Sequence, residues 1–237
     1  MSGISENLQA VQRRIGEAAD NAQRPAQSVN LLVVSKTFGA DAVIEAAATG
    51  QRAFGENYLQ ESLDKMATVE SARPDLDLEW HFIGPIQSNK TKPIATHFDW
   101  VHSVDREKIA QRLSDQRPDD LPPLNICLQV NISGEASKSG FAPEAVIEAA
   151  QRIASLPRLR LRGLMAIPEP EDDPQRQRLP FRQMHALYLQ LQQQLPGLQI
   201  DTLSMGMSGD LDAAIAEGAT IVRVGSAIFG TRNYAKQ

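Results

Sequence analysis

One lysine stands where covalent carbonyl chemistry could take place. Lys36 ends the segment LLVVSK, whose apolar run begins at Leu31. An uninterrupted apolar run of this length is typical of a strand that is buried on both faces, as in parallel sheets. Burial lowers the pKa of a lysine, and a neutral amine is a nucleophile that forms Schiff bases with aldehydes. The alternative is a solvated or ion-paired lysine, which is the commoner role of this residue type at a strand end.

Two short Gly/Ser segments near the end of the chain have the composition of a phosphate-binding site. The segment SMGMSGD offers the hydroxyls of Ser204 and Ser208 beside two glycines, and we expect a helix to begin near Ser208 and to present free N–H groups to an anion. The segment GSAIFG places Gly225 and Ser226 at the start of a final helical turn. Ordinary turns and helix caps are the alternative. A reactive lysine together with a phosphate site suggests pyridoxal 5′-phosphate (PLP) as the ligand.

A charged residue interrupts the last apolar strand, TIVRVG. Arg223 needs a partner there, because a buried guanidinium without one is costly. It could pair with a carboxylate of the core, or it could donate to the ring nitrogen of a PLP that lies between Lys36 and this strand. Arginine keeps its proton, so the ring nitrogen would stay unprotonated and PLP would be a weaker electron sink. Such a site favours holding PLP over assisting carbanion chemistry.

Four further polar residues lie at or near the ends of predicted strands. Asn57, His81, Asn131 and Lys138 are expected to face one mouth of the fold, and Asn57 is predicted to contact the cofactor. For His81 we favour a structural role with satisfied hydrogen bonds, because the sequence shows no Asp or Cys partner at the spacing of a catalytic triad.

The elements that position these residues alternate regularly along the chain, after an amphipathic helix predicted over 4–20. Strands are predicted at 29–35, 52–54, 78–83, 100–104, 124–131, 159–167, 200–205 and 220–224. Helices are predicted at 40–49, 59–69, 106–116, 143–155, 182–195 and 209–217, with a weaker one at 88–96. Two segments rich in proline and charge, 115–123 and 168–180, are predicted to be exposed connections.

Alternation of strands and helices favours parallel β/α units and therefore an α/β fold. Eight such units in 237 residues fit a single (β/α)8 TIM-like barrel domain that covers residues 1–237. An open doubly wound sheet is the alternative, although no GxGxxG motif follows the first strand. In a barrel, the residues described above would meet at the carboxyl ends of the strands.

Composition argues against several classes of function. The net charge is −5, with 29 acidic and 24 basic residues spread along the chain, which argues against nucleic acid as the main partner. No apolar stretch approaches the length of a membrane span, and the first residues are polar, so we expect no membrane association and a cytoplasmic location. The one cysteine, Cys127, cannot form an internal disulfide and is predicted to lie in the core.

Six sequence blocks together resemble the PLP homeostasis proteins. They are VVSKT, FGENYLQES, WHFIGPIQSNK, QVNISGEASKSGF, GLMAIP and LSMGMSGDLDAAIAEGATIVRVGSAIFG, and they run in order from about Val33 to Gly230. The resemblance implies a barrel similar to the N-terminal domain of alanine racemase and a covalent bond between PLP and Lys36. It also implies a ring-nitrogen contact from Arg223 and phosphate contacts around Ser204, Ser208, Gly225 and Ser226.

The same resemblance implies storage of PLP, its delivery to apo forms of PLP-dependent enzymes, and a role in vitamin B6 balance with indirect effects on amino-acid metabolism. It implies no enzymatic activity. The chain departs from the family at two places: Gly39 stands near a position where many relatives have proline, and Ser226 stands where relatives often have threonine.

The main alternative is a PLP-dependent amino-acid racemase. Racemases of the alanine type add a second domain and use a second base from a partner subunit, whereas here the predicted barrel ends near Gly230. Tyr58 and Tyr234 are the tyrosines nearest to strand or chain ends, and neither has an evident partner. We therefore expect a monomer without catalytic activity. A regulatory module that binds a protein partner, with PLP as its signal, is a third possibility.

Overall fold

Eight parallel strands form a closed barrel in the order of the sequence. The computed structural model of the chain describes residues 3–135 and 138–230. Within them, β1 pairs with both β2 and β8, which closes the barrel and confirms the predicted (β/α)8 fold. The strands are β1 (Asn30–Val34), β2 (Ala53–Glu56), β3 (Glu79–Phe82), β4 (Trp100–Val104), β5 (Leu124–Gln129), β6 (Leu159–Met165), β7 (Thr202–Ser204) and β8 (Ile221–Val224).

Helices follow the strands and surround the barrel. They are α1 (Ile4–Asn21), α2 (Ala40–Ala48), α3 (Leu59–Ala72), α4 (Thr91–His97), α5 (Glu107–Gln116), α6 (Val146–Ala154), α7 (Pro174–Gln194), α8 (Leu211–Ala216) and α9 (Ser226–Phe229). Three short 3-10 turns occupy Ala26–Ser28, Ser88–Lys90 and Pro143–Ala145. The helix α1 precedes the first strand and packs on the last part of the barrel, against α8 and α9.

Several helix boundaries differ from the prediction by two or more residues, and the starts of α7 and α8 are the two differences that bear most on the fold and the site. The predicted connection over 168–180 is wrong from Pro174 onwards, because α7 begins there, where proline is tolerated at the first helical position. The side chain of Asp173 caps this end by accepting two backbone N–H groups. Pro180 lies inside α7, and the helix continues past it with Phe181 buried in the core. The helix predicted to begin near Ser208 is the second difference, because α8 begins only at Leu211.

The core has two parts, one outside the barrel and one inside it. The larger part fills the space between the strands and the helices. The smaller part fills the barrel itself with two groups of side chains, and it includes the predicted core residue Cys127. Burial raises the pKa of this thiol, so Cys127 is an unreactive core residue. No helix of the described chain is long and apolar enough to cross a membrane.

Candidate functional site

The register of the sheet brings three predicted site regions to neighbouring strand ends. Val34 in β1 pairs with Gly55 in β2, and Val33 pairs with Val224 in β8. Lys36, Asn57 and the Gly225–Ser226 pair therefore leave three adjacent strands at the same end of the barrel. This end is the carboxyl-terminal mouth, where barrels of this type carry their functional residues.

The loop that holds Lys36 packs directly on the loop after β8. Phe38 stacks on Phe229 of α9 with ring centroids 4.7 Å apart. The two backbones also approach closely, because a Cβ added at Gly225 would lie 2.8 Å from the carbonyl oxygen of Val34. A side chain at position 225 would push these loops apart. Lys36 itself is half-buried between the strand end and the mouth.

The two Gly/Ser segments lie at the same mouth, but their local structure differs from the prediction at Ser208. Ser208 is half-buried in a turn rather than at the start of a helix, and its carbonyl oxygen accepts a hydrogen bond from Nη1 of Arg14 at 2.9 Å. Gly206 has a φ of +94°, and an added Cβ would lie 2.5 Å from that of Ala214, so this tight turn requires glycine. Ser226 is exposed at the first position of α9, as predicted.

Arg223 and Ser204 form one buried unit inside the barrel. Nη1 of Arg223 donates to Oγ of Ser204 at 2.8 Å, and Nη2 donates to the carbonyl oxygen of Ala166 at 3.0 Å. Neither partner is a carboxylate. Burial lowers the pKa of Arg223 to about 10, so the guanidinium remains charged at neutral pH. Because the Ser204 hydroxyl is occupied inside the barrel, this residue orients Arg223, while its predicted phosphate contact stays a prediction.

A chain of hydrogen bonds continues from Ser204 through the barrel. Oγ of Ser204 lies 2.8 Å from Nδ1 of His102, and Nε2 of His102 lies 2.8 Å from Nδ1 of His81. Nε2 of His81 lies 2.7 Å from a carboxylate oxygen of Glu79 at the opposite mouth. We call the five residues Glu79, His81, His102, Ser204 and Arg223 the arginine network.

When both imidazole rings are neutral, the direction of the hydrogen bonds in the arginine network follows from its Glu79 end. The hydrogen bond from His81 holds the pKa of Glu79 below its usual range, so Glu79 is ionised and can only accept. A neutral His81 must then donate from Nε2 and accept at Nδ1. His102 consequently donates from Nε2 and accepts at Nδ1 from the Ser204 hydroxyl. Burial lowers the pKa of His102 well below its usual value, which keeps this ring neutral.

Two cavities lie at opposite ends of the barrel. The one at the carboxyl-terminal mouth, about 280 Å³, is lined by Asn57, Asn131 and Lys138, as expected. Oδ1 of Asn57 and Oδ1 of Asn131 are buried there without a hydrogen-bond partner in the described part of the chain. Unsatisfied buried acceptors of this kind fit a site that is completed by a polar ligand.

His81 does not belong to the mouth where the sequence placed it. It lines a larger cavity, about 760 Å³, at the amino-terminal end of the barrel, together with Glu79 and Trp100. The structural role favoured for His81 agrees with its hydrogen bonds to Glu79 and His102. The larger cavity contains none of the residues predicted to hold PLP, so cavity size alone does not identify the site. No cluster of three or more metal-ligating side chains occurs among residues 3–135 and 138–230.

His102 is a member of the site region that the sequence did not single out. It lies two residues after Trp100 on β4, so both side chains face the barrel interior. The two-residue spacing of Trp100 and His102 in a predicted strand was the sequence signal that could have identified His102. Tyr58, considered as a second base, is about half exposed on the loop after β2, and Tyr234 lies outside the described residues.

Comparison with known proteins agrees with the fold. Residues 7–233 match the family model described as alanine racemase, N-terminal domain. The chain is 61% identical over 234 residues to the pyridoxal phosphate homeostasis protein of Pseudomonas aeruginosa, covering 99% of this chain and 98% of the relative. It is 52% identical to the protein of the same name from Escherichia coli K12, covering 100% of both.

Solved structures give the same result. PipY of Synechococcus elongatus with PLP bound superposes with a TM-score of 0.81 at 37% identity, covering 96% of this chain and 100% of that one. Alanine racemase of Corynebacterium glutamicum shares the barrel with a TM-score of 0.66 at 17% identity, covering 97% of this chain and 63% of that one. The chain therefore belongs to the pyridoxal phosphate homeostasis protein family, built on the barrel of the alanine racemase N-terminal domain.

Proposed function

We propose that this protein binds PLP at the carboxyl-terminal mouth, with the cofactor attached to Lys36. The observation that carries the proposal is the convergence of Lys36 with the Gly225–Ser226 segment and Arg223 on the adjacent strands β1 and β8. The PLP-bound PipY relative and the name shared by the curated relatives support the same ligand. The bond would form between Nζ of Lys36 and the aldehyde carbon, with loss of one water.

The predicted residues would contact different parts of the cofactor. Ser208, Gly225 and Ser226 would bind the phosphate, since their segments lie beside the Lys36 loop and two of the nearby turns admit only glycine. Arg223 would donate to the ring nitrogen, and Ser204 would hold Arg223 in place. Asn57 would contact the cofactor from β2, where its buried side-chain oxygen lacks a partner in the described chain.

The charge state of Arg223 bears on the choice between carrier and enzyme. When bound, PLP supplies an aldehyde for covalent attachment and a ring that can accept electrons. A guanidinium that keeps its proton leaves the ring nitrogen unprotonated, which weakens the second property. We therefore propose a carrier that stores PLP and releases it to apo enzymes, and not a racemase. A monomeric state and a cytoplasmic location are part of this proposal.

A spectroscopic titration tests the attachment. Purified protein titrated with PLP should develop a visible absorbance band that the Lys36→Ala variant lacks. The Lys108→Ala variant, which changes an exposed lysine of α5, serves as the matched control and should behave as the wild type. An unchanged band in Lys36→Ala would refute the attachment.

Two further experiments separate carrier from enzyme. The PLP-loaded protein is incubated with amino acids in heavy water, and the carrier proposal predicts no measurable exchange of the α-proton. Steady exchange would favour the racemase. PLP transfer to an apo enzyme is then compared with PLP release into buffer, and transfer that is no faster than release would remove the case for direct delivery.

A further inference from the structure

A second lysine, Lys65, is buried beside the residues that flank Lys36. It lies on α3, and its side chain is only 3% exposed. Its Nζ donates to the backbone oxygen of Ser35 at 2.7 Å and to the carboxylate of Glu56 at 2.6 Å. The Ser35 hydroxyl donates to the same oxygen of Glu56 at 2.6 Å. The residue before Lys36 is therefore held by two side chains outside its own strand, Lys65 and Glu56.

The residue after Lys36 is held by the same cluster. The backbone N–H of Thr37 donates to the carboxylate of Glu61 at 2.6 Å, and Lys65 donates to this carboxylate oxygen at 3.1 Å. Thr37 has a φ of +69°, which is rare for a β-branched residue. Such a backbone conformation persists only where its surroundings enforce it. The contact with Glu61 supplies that constraint. We call Ser35, Glu56, Glu61 and Lys65 the lysine network.

The lysine network gives the two lysines different roles. An ammonium has three donors, and those of Lys65 are matched by three acceptors: Ser35, Glu56 and Glu61. Glu56 is fully buried, and burial raises its pKa, while the charge and hydrogen bond of Lys65 oppose that shift. Lys65 is thus held by its three hydrogen bonds as a structural partner inside the protein, whereas Lys36 lies at the mouth.

We propose that Glu61 and Lys65 are positioning residues for Lys36. By fixing Ser35 on one side and Thr37 on the other, they hold the Lys36 backbone in the geometry that covalent capture of PLP requires. The inference rests on the proposed attachment at Lys36. It adds that the lysine network governs the rate of capture separately from the non-covalent affinity of the mouth.

The test compares two glutamates of α3. Glu61→Ala removes the acceptor of the Thr37 N–H, and Glu61→Gln restores an acceptor oxygen without the charge. Glu70→Ala is the matched control, because Glu70 is exposed on the same helix. Covalent capture is followed as the rate at which borohydride fixes PLP on Lys36. Non-covalent affinity is measured with 4′-deoxypyridoxine phosphate, which has no aldehyde, and a melting curve checks that each variant is folded.

The proposal predicts that Glu61→Ala slows capture by about tenfold, the effect of losing one charge-assisted hydrogen bond that positions the residue next to the reacting lysine. Affinity for the analogue should stay within about twofold of the wild type, with Glu61→Gln largely restored and Glu70→Ala unchanged. Equal capture rates in Glu61→Ala and Glu70→Ala would overturn the inference, as would a parallel loss of analogue affinity. Absence of any Lys36 adduct in the wild type would instead refute the proposed function and the inference with it.

Discussion

The lysine network and the arginine network compensate buried charge in two different ways. In the lysine network, Lys65 contacts Glu56 directly between the barrel and α3. In the arginine network, the positive Arg223 and the negative Glu79 are separated by the side chains of Ser204, His102 and His81, which run through the barrel. Each of the two proposed PLP-contacting side chains thus has its own supporting network. Direct charge pairs hold the residues beside Lys36, and hydrogen bonds through the barrel hold Arg223. Direct pairing fixes a backbone, whereas a chain of neutral groups fixes the direction of hydrogen bonds.

Breaking the lysine network should have the largest effect on stability. Lys65→Met leaves the fully buried Glu56 without its cation and should lower the free energy of unfolding by about 3–5 kcal/mol, as measured by urea denaturation. The double variant Glu56→Gln/Lys65→Met replaces the pair by neutral groups and should recover most of this loss. If Lys65→Met alone lowers the free energy of unfolding by less than about 1 kcal/mol, Lys65 and Glu56 do not form a buried charge pair in solution.

Breaking the arginine network at Ser204 should lower the free energy of unfolding by less than breaking the lysine network does. Ser204→Ala leaves the buried Nδ1 of His102 without a donor and should lower the free energy of unfolding by about 1–3 kcal/mol. Ser155→Ala, which removes an exposed hydroxyl bonded to the backbone at the end of α6, is the matched control and should change stability by less than about 0.5 kcal/mol. Equal effects in the two serine variants would contradict the proposed hydrogen-bond chain.

The neutral centre of the arginine network should also appear in the pH dependence of stability. The pKa of His102 is lower in the folded protein than in the unfolded chain, so the unfolded chain binds more protons below about pH 6.5. The contribution of His102 to stability should therefore fall with decreasing pH, by up to about 1.4 kcal/mol per pH unit. His102→Gln should show a correspondingly flatter profile over about 1.5 pH units below the ordinary histidine pKa of about 6.5. Parallel profiles would indicate that His102 is not held neutral.

The smallest effect is expected at the exposed end of the arginine network. Glu79→Gln keeps an oxygen that accepts from Nε2 of His81, so the direction of the chain is retained. The free energy of unfolding should change by less than about 1 kcal/mol, because the Glu79 side chain is half exposed. A loss as large as that of Ser204→Ala would show that the charge of Glu79, and not only its acceptor, sets the network.

The sequence predicted the barrel because its signal is local. Apolar runs alternate with amphipathic segments, and residues that follow such runs must lie at one mouth of a parallel barrel. Lys36 and Gly225 could thus be placed together from strand ends alone, as the register shows. The start of α7 could not be predicted because proline usually breaks a helix. Pro174 nevertheless opens α7, and Pro180 lies inside it next to the buried Phe181.

The networks could not be predicted in the same way, because they depend on side chains that meet across elements. Lys65 and Ser35 are 30 residues apart, and His102 and Ser204 are 102 residues apart. Their contacts depend on the rotation of α3 against the barrel and on which strand residues face inwards. Ser204 illustrates the consequence: its type and segment suggested a phosphate contact, and only the fold showed that its hydroxyl joins Arg223 to His102.

Covalent attachment of PLP at Lys36 is the central claim, and peptide mapping tests it most directly. The wild-type protein is loaded with PLP, reduced with borohydride, digested and analysed by mass spectrometry. Our account predicts one dominant adduct, on Lys36, that is lost in Lys36→Ala. An adduct found mainly on Lys138 at the other side of the mouth, or spread over exposed lysines such as Lys108, would contradict it.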